Sequence, residues 1–123
     1  MLKNSFISLC ITLSCFSSLN AGDIRSLLFH GNCITCHDEH TDKSAPSMSE
    51  IKLNYIRAFP KRENFIENLS KWVVKPQEKT SIMQHSITKY ALMPELGFDK
   101  STLVEIAAYI YDTDFNKEHE GHK

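Results

Sequence analysis

Apolar residues recur at helical spacing in four segments of the chain, and little of it alternates between apolar and polar residues as a strand would. The first segment is "GDIRSLLFHGN", in which Asp23 is the expected helix cap. The last is "GFDKSTLVEIAAYIYD", with Asp99 as its expected cap. Its apolar stripe consists of Leu103, Ile106, Ala107 and Ile110. The pattern predicts an all-α fold.

Two further helices are predicted between these terminal ones. The segment "KRENFIENLSKWVVK" lies between Pro60 and Pro76 and has one apolar and one polar face. The segment "QEKTSIMQHSITKY" predicts a short helix with Ile82, Met83 and Ile87 facing inward. Closer to the N-terminus, "DEHTDKSAPSMSE" is polar and rich in turn-forming residues, which predicts a loop.

Composition divides the chain into three parts. Residues 1–21 contain one cation and then an apolar run too short to span a bilayer comfortably, which predicts a secretory signal peptide cleaved near Ala21. An uncleaved membrane anchor and a lipoprotein signal at Cys15 are the alternatives. Residues 22–112 are then the folded domain, and residues 113–123 are predicted to be a flexible charged tail.

Charge and cysteine content narrow the functional classes. The chain of 123 residues has a formal net charge of −1, which becomes −2 once the signal peptide is removed. Such a chain has no bulk electrostatic reason to bind nucleic acid. Removal of the signal peptide also leaves Cys33 and Cys36 as the only two cysteines. The chemistry of the mature protein therefore centres on this pair.

The two cysteines lie in "GNCITCHDEH", and several chemistries compete for this pattern. A zinc site needs two further ligands, and the suitably spaced His119 and His122 lie in the predicted tail. A dithiol redox site of the thioredoxin type needs a strand before the cysteines, whereas the preceding segment is predicted to be helical. A structural disulfide is the other thiol alternative in an exported protein.

Cys-x-x-Cys-His is also the attachment pattern of c-type haem. Thiols separated by two residues share one turn, so they can reach the two vinyl groups along one porphyrin edge. The next residue, His37, then directs its imidazole at the iron. For an exported chain we therefore expect one haem c, bound covalently by Cys33 and Cys36, with His37 as the proximal iron ligand.

The opposite face of an electron-transfer haem is usually closed by a methionine or a second histidine. Met93 is the expected ligand because it stands directly before Pro94, which restricts it to extended conformations and so fixes the direction of its side chain. Met83 and His85 are the alternatives.

At these residues the chain resembles the class I c-type cytochromes, especially the small bacterial monohaem proteins. Phe29 matches an aromatic residue four positions before the first cysteine, and Pro46 matches a proline nine positions after the ligand histidine. Tyr109 matches an aromatic residue that packs across the N-terminal helix. "KWVVKP" is similar to the family's tryptophan stretch, and "MPELGFDKSTLVEIAAYI" to its ligand methionine and final helix.

The resemblance implies about four helices around one covalently bound haem, with the N- and C-terminal helices crossing. It implies that the Pro46 carbonyl accepts a hydrogen bond from His37, which orients the imidazole and raises its basicity. It also implies that the Trp72 indole bonds a haem propionate.

Two features depart from the family pattern. Arg25 stands where many members have a small residue that lets the terminal helices cross closely, which predicts a wider crossing. The stretch of residues 51–64 is longer than in the most compact members, and Tyr55 and Arg57 within it are further candidates for contact with a propionate.

The function that the resemblance implies is that of a periplasmic carrier of single electrons, and not of an enzyme. Its partners would be proteins that bind transiently, and the chain would be a monomer without stable membrane insertion after signal cleavage. Two alternatives stay open. One is a haem subunit of a larger oxidoreductase that docks through residues 51–64. The other is a five-coordinate haem enzyme that acts on peroxide or a small gas, if Met93 does not bind.

Overall fold

The structure is a computed structural model that describes residues 20–117. Its helices are α1 (Ala21–Asn32), α2 (Met48–Ala58), α3 (Arg62–Val74), α4 (Gln84–Tyr90) and α5 (Lys100–Asp112), with a 3₁₀ turn at Glu78–Thr80. This part of the chain contains no strand, which confirms the predicted all-α class. Over the same residues, no helix has the length and apolarity needed to cross a bilayer. The predicted signal peptide, residues 1–21, lies outside the described residues except for its last two.

The centre of the fold is α5, which packs against α1, α2 and α3. Its buried stripe contains the four residues predicted from the sequence, together with Ala108. The side chain of Asp99 accepts a hydrogen bond from the Thr102 N–H at 2.9 Å, so the predicted cap is confirmed. At the other end of the chain, α1 begins at Ala21, so Asp23 lies in its first turn and the cap predicted there is wrong.

Aromatic rings join the two terminal helices. Phe29 of α1 is fully buried, and its ring centroid lies 4.9 Å from that of Tyr109 on α5. The packing expected of Tyr109 across the N-terminal helix is therefore confirmed. Arg25 lies at the edge of the same contact, where its Nε donates to Glu105 Oε2 at 2.5 Å. The long side chain thus forms an ion pair between the two helices.

Helix α2, Met48–Ala58, occupies much of residues 51–64, and its first turn lies at the end of "DEHTDKSAPSMSE", where the predicted loop is therefore wrong. The Ser47 hydroxyl accepts a hydrogen bond from the Glu50 N–H at 3.3 Å, which caps the start of α2. Buried Ile51 and Tyr55 then anchor α2 in the core. The sequence does contain a signal for this helix, because Ser47 and Glu50 have the spacing of a capping box.

The folded domain extends beyond its predicted end. Phe115 is only 3% exposed, and its ring lies 5.7 Å from that of Phe29. Lys52 Nζ also donates a hydrogen bond to the carbonyl of Thr113. The predicted boundary after Asp112 is therefore wrong, since an apolar ring within the supposed tail completes the core. Residues 118–123, with His119 and His122, lie outside the described residues.

Candidate functional site

An apolar cavity opens between the helices. The space between its lining residues is about 1320 Å³, which includes solvent at its open mouth. Protein interiors are otherwise close-packed. The aliphatic and thioether side chains in its wall include Met48, Ile51, Leu69, Val73, Met83, Leu103, Ile106 and Ile110. A ligand with a large apolar surface would complete this core.

The two cysteines and His37 all line this cavity. They form a single turn at the end of α1, in which the Cys33 N–H donates to the Phe29 carbonyl at 2.9 Å and the His37 N–H donates to the Cys33 carbonyl at 3.0 Å. The buried Phe29 thus fixes the start of the turn. Both cysteines are free thiols in the structure, and burial raises the pKa of Cys33 to about 11. Cys36 is exposed at the mouth of the cavity.

The orientation of His37 is set by the loop that follows it. His37 Nδ1 lies 2.8 Å from the Pro46 carbonyl oxygen, which can only accept, so Nδ1 donates the proton. The hydrogen bond expected between these two residues is therefore present. It leaves Nε2 without a proton and able to bind a metal when the ring is neutral. Burial lowers the pKa of His37, more than the hydrogen bond to Pro46 raises it, which favours that neutral ring.

The loop that positions Pro46 is itself held by backbone hydrogen bonds. The Met48 N–H donates to the Asp38 carbonyl at 2.8 Å, and the Ser49 N–H donates to the Glu39 carbonyl at 3.0 Å. The chain after His37 is thereby fastened to the start of α2. Pro46 is buried within the loop that these two hydrogen bonds close, so its carbonyl has a fixed direction.

Two of the candidate ligands for the opposite face also line the cavity. Met83 is 6% exposed and precedes α4, whereas Met93 is half-buried and lies in the extended segment between α4 and α5. The third candidate, His85, lies outside the cavity wall. Its Nε2 is 2.8 Å from Glu50 Oε1, and its side chain is 60% exposed. The structure thus brings both methionines to the site and leaves the histidine on the surface.

The segment with Met93 begins at a strained residue. Ala91, which ends α4, has φ 70° and ψ 176°, a region that is populated almost only by glycine. Such a conformation costs about 1–3 kcal/mol and persists only where the surrounding structure imposes it. The chain therefore turns sharply out of α4 two residues before Met93.

The expected propionate contacts fit the structure less well. Trp72 lines the cavity, but its indole N–H donates to the Gln77 carbonyl at 3.1 Å and so already has an acceptor. Tyr55 also lines the cavity, and burial raises its pKa to about 12, so its hydroxyl stays protonated near neutral pH. Arg57 is exposed and lies outside the cavity wall.

Within residues 20–117, no three side chains of histidine, cysteine, aspartate or glutamate converge as a metal-binding cluster. The histidines that the zinc hypothesis would add, His119 and His122, are beyond these residues.

Comparisons with protein-family models, with curated proteins and with solved structures find no match for this chain.

Proposed function

We propose that this protein is a monohaem c-type cytochrome that carries single electrons in the periplasm. The observation that supports the proposal most strongly is the position of the Cys-x-x-Cys-His turn. Both thiols and an imidazole oriented by Pro46 line one apolar cavity, with Met83 and Met93, the two candidate methionine ligands, in the same wall. Thiols, an oriented neutral imidazole and an apolar enclosure are the groups that a covalently attached haem requires.

Each residue of the turn has a distinct role in this proposal. Cys33 and Cys36 would hold the haem through thioether bonds, and His37 would bind the iron through Nε2. Pro46 keeps the imidazole in one orientation and increases its basicity, because a donated proton at Nδ1 leaves more electron density on the ring. Phe29 holds the beginning of the turn against the core.

A haem bound in this way supplies reversible exchange of one electron between the ferric and ferrous states of its iron. Met93 is the proposed second ligand of the iron, and its thioether would favour the ferrous state. The apolar walls contribute in the same direction, because exclusion of water disfavours the additional positive charge of the ferric form. A signal peptide over residues 1–21 would deliver the chain to the periplasm.

A redox titration of the exported holoprotein tests this function. We expect one reversible one-electron wave and a low-spin spectrum in both oxidation states. We also expect carbon monoxide to bind the ferrous form slowly, because the methionine closes the sixth position. A high-spin spectrum with rapid binding of carbon monoxide would instead support a five-coordinate enzyme. Co-purification with a fixed partner protein would support a subunit of a larger oxidoreductase.

A further inference from the structure

One carboxylate connects two segments of the chain that both contribute residues to the cavity wall. Asp42 lies in the loop between the haem-attachment turn and α2, four residues before Pro46. Its Oδ2 accepts hydrogen bonds from the Tyr90 hydroxyl at 2.5 Å and from Lys89 Nζ at 3.0 Å. Its Oδ1 accepts from the Ser47 N–H at 3.0 Å. A single side chain thus joins the loop that orients His37 to the last two residues of α4.

The two side-chain donors, Lys89 and Tyr90, lie where the chain leaves α4. Tyr90 is the last residue of α4, and the segment with Met93 starts directly after it. Tyr90, Met93 and Pro46 all line the cavity. The hydrogen bonds of Asp42 therefore join the loop that contains Pro46 to the start of residues 91–99, the distal segment.

Few other contacts hold this end of α4. The close helix packing of the described chain is concentrated on α5 with α1 and α3, and α4 has no comparable helix partner. A second side-chain contact, between His85 and Glu50, lies at the beginning of α4, at the opposite end from Tyr90. The strained conformation of Ala91 follows immediately after the Asp42 contact. A strained turn persists only where its neighbours are fixed, and the Asp42 contacts provide such fixation.

The groups around Asp42 favour its ionised form. An ionised carboxylate accepts only, and the three groups around Asp42 are all donors. These donors keep the pKa of Asp42 low, at about 2, so the carboxylate is charged over the whole physiological range. Hydrogen bonds to a charged acceptor are stronger than neutral ones.

We propose that Asp42 is a positioning residue that keeps the distal segment, residues 91–99, closed over the cavity and so retains Met93 on the iron. The inference rests on the proposed haem function. Without this carboxylate, the segment opens more often, and a small ligand from solvent reaches the iron more rapidly.

The test compares D42A, D42N and Y90F with the wild-type holoprotein. The readout is the rate at which ferric protein binds imidazole added in excess, since Met93 must leave first. We expect D42A to bind imidazole about fivefold faster, as loss of hydrogen bonds to a charged acceptor suggests. D42N should show partial rescue, because its amide oxygen still accepts from Tyr90. Y90F keeps the ring and should show an intermediate rate.

The matched control is R62Q, which removes another exposed ion pair. Arg62 donates two hydrogen bonds to Asp112, at 2.9 and 2.8 Å, and so joins α3 to α5 rather than the distal segment. We expect R62Q to bind imidazole at the wild-type rate. Equal acceleration in R62Q and D42A would overturn the proposal, because it would show an effect of general stability alone.

Amide hydrogen exchange over the second half of α4 and Ala91, whose N–H donates to the Ile87 carbonyl at 2.9 Å, gives a second readout that does not depend on the haem. We expect D42A to exchange faster there while α1 and α5 keep wild-type protection. Unchanged exchange and imidazole binding in D42A and Y90F would overturn the role of Asp42 while leaving the haem proposal intact. A wild-type chain that carries no haem would instead overturn the proposed function, and with it this inference. If D42A does not fold, Y90F decides the question with the milder change.

Discussion

Phe29 is the fully buried ring in the contact between the terminal helices, which makes it the most informative position for a stability test. The side chain has no exposed surface, and it contacts the rings of Tyr109 and Phe115 at centroid distances of 4.9 and 5.7 Å. Phe29→Leu keeps most of the buried apolar volume but removes both ring contacts. Since an aromatic pair contributes about 0.5–1.5 kcal/mol, the free energy of unfolding should fall by about 2 kcal/mol.

Phe29→Ala also leaves a cavity. Truncation of a buried phenylalanine to alanine costs about 3–5 kcal/mol, because the surrounding core collapses only in part. The matched control is Leu27→Ala, on the same helix, because the side chain of Leu27 is 69% exposed. Its free energy of unfolding should change by no more than about 0.5 kcal/mol.

Equilibrium unfolding by urea, followed by far-ultraviolet circular dichroism, measures all three variants with the wild type. The midpoints should follow the order wild type and Leu27→Ala, then Phe29→Leu, then Phe29→Ala, with an unchanged dependence on urea concentration. If Phe29→Ala were no less stable than Leu27→Ala, α1 would not pack on α5 through this ring. The placement of the Cys33 turn described above would then be refuted.

Three further predictions concern the site and its supports. Met93→Ala should abolish the weak sulfur-to-iron absorption band of the oxidised holoprotein, whereas Met83→Ala should keep it. Loss of the band in Met83→Ala alone would show that Met83, and not Met93, is the iron ligand. Ser47→Ala removes the cap of α2 and should lower the free energy of unfolding by about 1 kcal/mol in urea titrations, and an unchanged midpoint would argue against the cap. Arg62 keeps the pKa of Asp112 below its ordinary value of 3.8, so this ion pair stabilises the fold above that pH and ceases to do so as the pH falls through the lowered pKa. Wild type should therefore exceed R62Q by about 0.5 kcal/mol near neutral pH, and the difference should disappear in strong acid; a difference that persisted there would contradict the assignment.

Sequence patterns predicted the helices whose apolar residues lie on one face. In α5 the apolar stripe and the Asp99 cap agree with the structure, because both are determined by residues near in sequence. The position of His37 against Pro46 was also expected, although only from the family resemblance.

The features that the sequence patterns missed depend on contacts between distant residues or on short local signals. Helix α2 has buried Met48, Ile51 and Tyr55 at helical spacing, and this stripe, together with the capping pair Ser47 and Glu50, was the signal that could have identified it. Phe115 follows a charged stretch, and only the position of α1 makes its ring part of the core. The acceptor of the Trp72 indole is a backbone carbonyl in the next turn, which no side-chain pattern reveals.

The proposed function depends on a haem attached covalently through Cys33 and Cys36. Mass spectrometry tests this attachment in protein exported from a cell that matures c-type cytochromes, before and after extraction with acidified acetone. Each chain should retain the mass of one haem under denaturing conditions. Proteolysis should then locate this mass on the peptide that contains both cysteines. A colourless chain, or a pigment that the solvent removes, would contradict this attachment.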